Sequence, residues 1–403
     1  MNLKFGLIAL LISSFLASIV QFNFGKTEIT LEKLDTGKGQ YIYYDLYKPK
    51  IASEKNKVPF IAIIPGFQRS KEALSNIAIE LSRRGYVVGL IDPYAQGLSS
   101  SSRSRIAATT QGYGMFALIE HVNESSDFNF INKELLGSTG HSMGGNAAIR
   151  GANYFGKKAD EQNKKSLLHS VYVSGYVLTL RDDVLKDVRS NVGVSYALYD
   201  EGSFRNELKN WDAANMKIAP ESLRTVNSGL KKEEHIFEVE LGKYYGDLES
   251  NTLRVIFNEE LLHPFQPYNA EATANQLAYF ETVFGAPIKL DTYDQIWQWK
   301  EFFTLLNMII SFWLLIPLTR TLLKINFFKT LVKPIPEALP VQNGVGKTIF
   351  WSVFFVSAGI ACVTFIPLVE VAKTLFPEAA TRQLTWFFPQ RMNNSVMLWA
   401  LLN

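Results

Sequence analysis

The sequence predicts an α/β domain on a mostly parallel sheet, with apolar helices before and after it. Three observations carry this. Short apolar runs alternate with stretches at helical spacing between residues 27 and 300, the pattern of βαβ units. Three charge-free apolar segments, 5–25, 302–319 and 348–369, each reach the ~17–25 residues a membrane-spanning helix needs. The 403 residues, 47% of them apolar and 20% charged, are too apolar for a disordered chain and suggest two or three units at ~150 residues each.

Taken in order, residues 27–34 and 40–47 carry the aromatic and β-branched content of paired edge strands. A polar loop, 50–57, leads to the continuous apolar run 58–64, ending in Pro65-Gly66, which reads as a strand buried on both faces. Residues 70–84 place Leu74, Ile77, Ala78 and Leu81 on one helical face, and Gly85 ends them. Residues 86–91 form the next buried strand, and 99–105 a Ser/Arg-rich loop. Helix is expected at 109–123, strand at 135–139, helix at 143–155 and strand at 169–174, with 156–166 a solvated lysine-rich connection. Residues 192–198 and 253–257 read as strands, and 270–284 as the closing helix. Residues 202–245 leave room for a helix or two. No internal repeat of 20–50 residues is present.

The expected organisation is an N-terminal transmembrane anchor at 1–25, the α/β domain at 26–300 and a C-terminal transmembrane region at 301–403, with helices at 302–323 and 348–369. For 5–25 the alternative is a cleaved signal peptide. Its long apolar core and the weak cleavage site at Leu16-Ala17-Ser18-Ile19 favour an uncleaved anchor. Between the second and third segments lie Arg320, Lys324, Lys329, Lys333 and Lys347 against Glu337 alone, which makes that loop cytoplasmic. The chain therefore reads as a multi-pass membrane protein with residues 26–300 outside the cytoplasm and the lipid bilayer as a partner. Residues 395–403 turn apolar again. Nine residues cannot span, so they read as an interfacial tail or the start of a further helix cut short.

Composition excludes several functions. A net charge of +3, from 41 basic and 38 acidic residues, gives no support to nucleic-acid binding. The single cysteine, Cys362, excludes a disulfide framework or cysteine cluster within one chain. No His-Glu-x-x-His metal motif occurs, and Gly344-Val345-Gly346-Lys347-Thr348 lacks the spacing of a phosphate loop. No cofactor is expected.

The chemistry concentrates at Gly140-His141-Ser142-Met143-Gly144, a Gly-x-Ser-x-Gly elbow. A serine on a sharp strand-to-helix turn has a strained backbone and needs small neighbours. Gly140, Gly144 and Gly145 provide the room. The expected strand at 135–139 and helix at 143–155 supply the context. The turn would lift the Ser142 hydroxyl clear of the sheet and set it at a helix N-terminus, which favours developing negative charge.

With this elbow the chain resembles the α/β-hydrolase family, in its dienelactone-hydrolase and esterase-like branches, over about residues 40–290. The resemblance implies a serine nucleophile with a base and an acid in the chain order Ser, acid, His. Pro65-Gly66-Phe67 resembles the family's oxyanion turn, with proline in place of histidine; by resemblance, the N–H groups of Phe67 and Met143 would form the oxyanion hole. Asp92-Pro93-Tyr94-Ala95-Gln96-Gly97-Leu98-Ser99 resembles a family loop and is expected to be structural. Among the histidines, His121, His141 and His169 come too early for that order. His263, after the last strand and followed by Pro264, matches the base position, with His235 the alternative in a charged stretch. Asp200 matches the acid, with Glu201 beside it and Asp182 or Asp183 as a further alternative.

The function this implies is a membrane-anchored serine hydrolase cleaving esters, or amides, through an acyl-enzyme, on a small-molecule or amphiphilic substrate. An acyltransferase could use the same triad. A hydrolase-like binding module is the non-catalytic alternative, and the intact elbow, acid and base argue against it.

Overall fold

A computed structural model of the chain describes residues 3–102, 104, 106–334, 336–337, 343–380 and 391–403. Two compact units are present, one of Ala17–Ser100 with Ile106–Glu301, the other of Met1–Leu16, Ser101–Arg105 and Phe302–Asn403.

The larger unit holds an eight-stranded sheet of order β1-β2-β4-β3-β5-β6-β7-β8. The strands are β1 (Thr27–Gly37), β2 (Gln40–Pro49), β3 (Val58–Ile64), β4 (Val87–Ile91), β5 (Ile131–His141), β6 (Ser170–Ser174), β7 (Asn191–Ser195) and β8 (Arg254–Phe257). β1 and β2 form an antiparallel hairpin, and β2 pairs antiparallel with β4. From β4 to β8 every pairing is parallel. The C-terminal ends of these strands therefore share one edge.

Alternation along β3 explains its unbroken apolar run. Phe60, Ala62 and Ile64 join the core on one face with Leu118, Ala147 and Phe155. Ile61 and Ile63 join the other with Ile77, Leu81, Leu277 and Phe280. Both faces are covered by helices, so neither needs polar residues. The covering helices are α2 (Ser75–Arg83), α3 (Met115–Glu124), α4 (Met143–Gln162) and α6 (Ala270–Phe284). A short α5 (Pro220–Asn227) and 3-10 turns fill much of the 202–245 stretch.

Three expectations are corrected here. The helix expected at 109–123 is broken at Gly112–Gly114, where Tyr113 has φ 57° and a Cβ on Gly114 would lie 2.5 Å from Ile42. α4 runs to Gln162, so most of 156–166 is helix, not a solvated connection. Gly156 is a close approach, not a stop: a Cβ there would sit 1.8 Å from the Asp187 carbonyl oxygen. The outward residues Lys158 and Asp160 pair with Glu120 and Arg189. β5 also begins at Ile131, four residues before the expected 135, because Lys133 and Glu134 sit on its less buried part.

In the smaller unit, α1 (Leu3–Gln21) packs Gly6 against Leu314 and donates from Ser13 Oγ to the Phe303 carbonyl at 3.0 Å. Leu314 and Phe303 belong to α7 (Trp297–Leu322). α8 (Gly344–Leu375) contains the expected 348–369 segment, and α9 (Arg391–Leu402) contains most of 395–403. The Trp399 indole donates to the Ala361 carbonyl at 2.7 Å. α1, α7 and α8 are long and apolar enough to cross a membrane. The 12 residues of α9 fall short of the ~20 required. Residues 103 and 105 of the Ser/Arg-rich loop, and 381–390 before α9, lie outside the described residues.

Candidate active site

The elbow follows β5 directly. Ser142 has φ 58° and ψ −123° between the last residue of β5 and the first of α4. Such a backbone is costly for a residue with a side chain, and its neighbours hold it. The Ser142 N–H donates to the Ser174 carbonyl at 2.8 Å. A Cβ on Gly144 would meet the Ile64 oxygen at 1.8 Å, and one on Gly140 would meet both Gly144 and Ile64 at 2.5 Å. These are backbone atoms of β3 and of the first turn of α4, packed on each other, and cannot retreat. We expect Gly144→Ala to lose about 3 kcal/mol of stability or fail to fold, read by thermal unfolding. A variant with unchanged Tm would refute this account of the glycine.

A Cβ on Gly66 would lie 3.1 Å from the Ser142 Cβ, so the Pro65-Gly66-Phe67 turn abuts the serine. Met143 opens α4, where amide N–H groups have no acceptor within the helix.

Asp200 and His263 come together from loops after β7 and β8. Asp200 Oδ2 lies 2.8 Å from His263 Nδ1, while its Oδ1 accepts from the Gly202 N–H at 2.7 Å. One oxygen is thus held by the backbone and the other is aimed at the imidazole. Asp200 is buried, whereas Glu201 is exposed. The His263 ring also lies 4.5 Å, centroid to centroid, from that of His141. His141 is buried next to Ser142 and is held well below the ordinary imidazole value by that burial, then by the facing His263 and Arg69. It is a neutral plate at pH 7. Ser142 is therefore one residue from the ring that packs on His263. Among the described contacts no hydrogen bond joins the Ser142 hydroxyl directly to His263; such bonds commonly tighten only with substrate.

A buried polar cluster that sequence reasoning missed lies beneath His263. Gln266, in the same 3-10 turn as His263, donates to Ser195 Oγ at 2.5 Å and Glu259 Oε2 at 3.2 Å. Ser195 and Asn275 donate to Glu259 at 2.8 and 2.9 Å. Burial pushes the Glu259 carboxyl above its usual range. In sequence, Glu259 and Glu260 simply follow the strand at 253–257 with no motif around them. Gln266 carries no signal beyond its neighbouring prolines.

The other sequence candidates lie elsewhere. His235 and Asp182 line a groove of about 540 Å³ with Lys186, Arg189 and Arg224. Asp183 pairs with Arg181 on the surface. His121 packs edge-on to Phe128, and His169 bonds Ser170. The 92–99 loop is structural: Asp92 Oδ1 accepts from the Lys71 N–H at 2.8 Å and Oδ2 from the Leu98 N–H at 3.0 Å.

Beside it, burial pushes the Asp45 carboxyl up to about 6, against the attraction of Lys71 at 3.8 Å. The folded state holds this proton more tightly than the unfolded chain. The group therefore favours folding below about pH 4, and that contribution is lost as the pH rises through 6. We expect Asp45→Asn to raise stability at pH 8 by about 1 kcal/mol, discounted for partial exposure, with no change at pH 4. Tm against pH checks this; equal shifts at both pH values would count against it.

The antiparallel second strand, the parallel strands after it and the serine elbow following β5 define a class of fold, that of the α/β-hydrolases. Within that class, the model of the PET hydrolase-like family, PETase, matches residues 13–201, a stretch that includes Ser142 and Asp200 and stops before His263. Among solved structures the chain is similar to an esterase from Pyrococcus furiosus, at 12% identity over 64% of this chain and 94% of that one, with a TM-score of 0.43. It is also similar to a dienelactone hydrolase from Anabaena variabilis, at 14% identity over 64% of this chain and 99% of that one, with a TM-score of 0.40. No curated protein matches.

Proposed function

We propose that the chain is a membrane-anchored serine hydrolase that cleaves carboxylic esters. The carrying observation is the 2.8 Å contact between Asp200 and His263, with the His263 ring packed on the neighbour of the left-handed Ser142. In this reading Asp200 holds His263 with its proton on Nδ1, leaving Nε2 to accept. His263 takes the Ser142 proton as Oγ attacks the ester carbonyl. The N–H groups of Phe67 and Met143 receive the oxyanion. His263 then protonates the leaving alcohol, and water, activated by the same histidine, releases the acid from the acyl-enzyme. The match to a hydrolase family model over the elbow and Asp200 supports hydrolysis. The three long apolar helices support a multi-pass anchor, and the lysine-rich stretch between the last two supports a hydrolase domain outside the cytoplasm.

The test is labelling of the membrane-embedded chain with a serine-directed fluorophosphonate, wild type beside Ser142→Ala. Labelling in the wild type alone is expected. A folded wild type that takes no label would overturn the reading.

A further inference from the structure

The catalytic edge is ringed by side chains that a water-facing surface does not explain. Leu98 follows β4. Tyr199, Phe204 and Trp211 follow β7. Leu262 and Phe265 flank His263 after β8. All six are exposed, Phe204 at 67% and Trp211 fully. Because β4, β7 and β8 belong to one parallel array, these loops leave the same edge. The loops are tied together: Tyr199 N–H donates to the Leu261 carbonyl at 2.9 Å, and Met216 N–H to Asn258 Oδ1 at 3.0 Å. The Tyr268 hydroxyl donates to the Ala73 carbonyl at 2.9 Å. The rim is a fixed surface, and contiguous exposed apolar patches mark interaction sites.

The heading of the chain as it leaves the domain says what meets this surface. α2 starts at Ser75, just after the Gly66–Phe67 turn on the catalytic edge, and runs away from that edge. Glu80, fully buried on α2, accepts from the N–H groups of Ile296 and Trp297 at 2.7 and 3.0 Å. Its other oxygen is held by Arg83 and Arg84 at 2.7 and 3.0 Å. One helical turn later, Lys300 Nζ donates to Ser75 Oγ at 3.0 Å. Residues 297–300 therefore travel antiparallel to α2, from Glu80 back towards the catalytic edge. They are clamped in that heading just before the apolar stretch opens at Phe302.

We propose that the rim around Ser142 and His263 rests in the surface of a lipid bilayer, and that the ester arrives from that surface as part of a membrane amphiphile. The substrate half rests on the hydrolase reading above. The docking half does not. A protein partner on the same rim would seal the site from substrate, whereas a fluid lipid surface can deliver an ester into it. Aromatic side chains sit well at headgroup level. The exposed charges among them carry no basic excess, with Arg205 and Lys209 against Glu201, Glu207, Asp212 and Glu260. Docking is therefore carried by apolar contact and does not require anionic lipid.

The full chain can be tested because its lone cysteine is removable. In a Cys362→Ser background, an NBD fluorophore is placed at Trp211→Cys, at Phe265→Cys, or at Lys55→Cys, an exposed position before β3 on the opposite edge. Each is compared in amphipol and in phosphatidylcholine nanodiscs. The labels at 211 and 265 shift to the blue only in nanodiscs and are quenched by a headgroup-level nitroxide lipid; the label at 55 does neither. Aqueous emission at 211 and 265 in both settings overturns docking, whatever the activity. In a second arm, Phe204→Ser with Trp211→Ser lowers kcat/KM on a long-chain ester dispersed in phosphatidylcholine by about tenfold or more. Turnover of soluble p-nitrophenyl acetate stays unchanged. Equal loss on both esters overturns delivery from the bilayer. A wild type that cleaves neither ester, with the blue shifts present, refutes the hydrolase reading and leaves docking intact.

Discussion

Ser142→Ala lowers kcat for ester hydrolysis by about 10⁴-fold or more, with little change in thermal stability. In the proposed mechanism this removes the nucleophile alone. The left-handed backbone is held by the Ser174 carbonyl and the packed glycines, none of which involves the hydroxyl. Residual turnover reports what the oxyanion turn and binding accomplish without a covalent step. Steady-state kinetics beside a thermal melt read both quantities. Activity within tenfold of wild type would remove Ser142 from the mechanism.

Asp200→Asn has the second-largest expected effect, a fall in kcat of about 10³–10⁴-fold. The asparagine oxygen can still accept from the Gly202 N–H, now 2.7 Å from Asp200 Oδ1. Its amide NH₂ then faces His263 Nδ1 where Oδ2 stood. A donor there forces the ring proton onto Nε2, the atom that must accept from Ser142. The imidazolium formed during reaction also loses its counter-charge. Stability changes by no more than about 1 kcal/mol, because the backbone hydrogen bond survives. Glu201→Gln is the control. It is exposed beside Asp200 and is expected to leave kcat unchanged. A reversed order of the two variants would reassign the acid.

How much of the site was legible depended on whether its signal was local. The elbow was legible because a serine with glycines two residues either side is a steric requirement of one tight turn, written in five consecutive residues. The buried strands were legible because a strand covered on both faces has no reason to alternate, as β3 illustrates. The early break at Gly112–Gly114 and the late end of α4 were not. Both glycine positions respond to what packs on them, Ile42 in one case and the Asp187 carbonyl in the other. Sequence alone reads each glycine only as a weak helix former.

The choice between Asp200 and Glu201 shows the same limit. Adjacent carboxylates are equivalent in sequence. The loop after β7 buries one against His263 and turns the other outward. Glu259, Gln266 and Ser195 lie further from reach, since their cluster joins side chains up to 71 residues apart. His141 was set aside by chain order, yet its ring packs against His263.

By itself, then, the sequence determined the class of sheet, the sharp turn at Ser142 and the three apolar segments, because each rests on composition or spacing over a few turns of chain. Only the tertiary structure decided which carboxylate meets the imidazole and which polar groups lie beneath it. It also decided which way the chain is heading as it reaches Phe302, through Glu80 meeting Trp297 from 217 residues away. Those are contacts between distant segments, whose partners are selected when burial and hydrogen-bond satisfaction are met together.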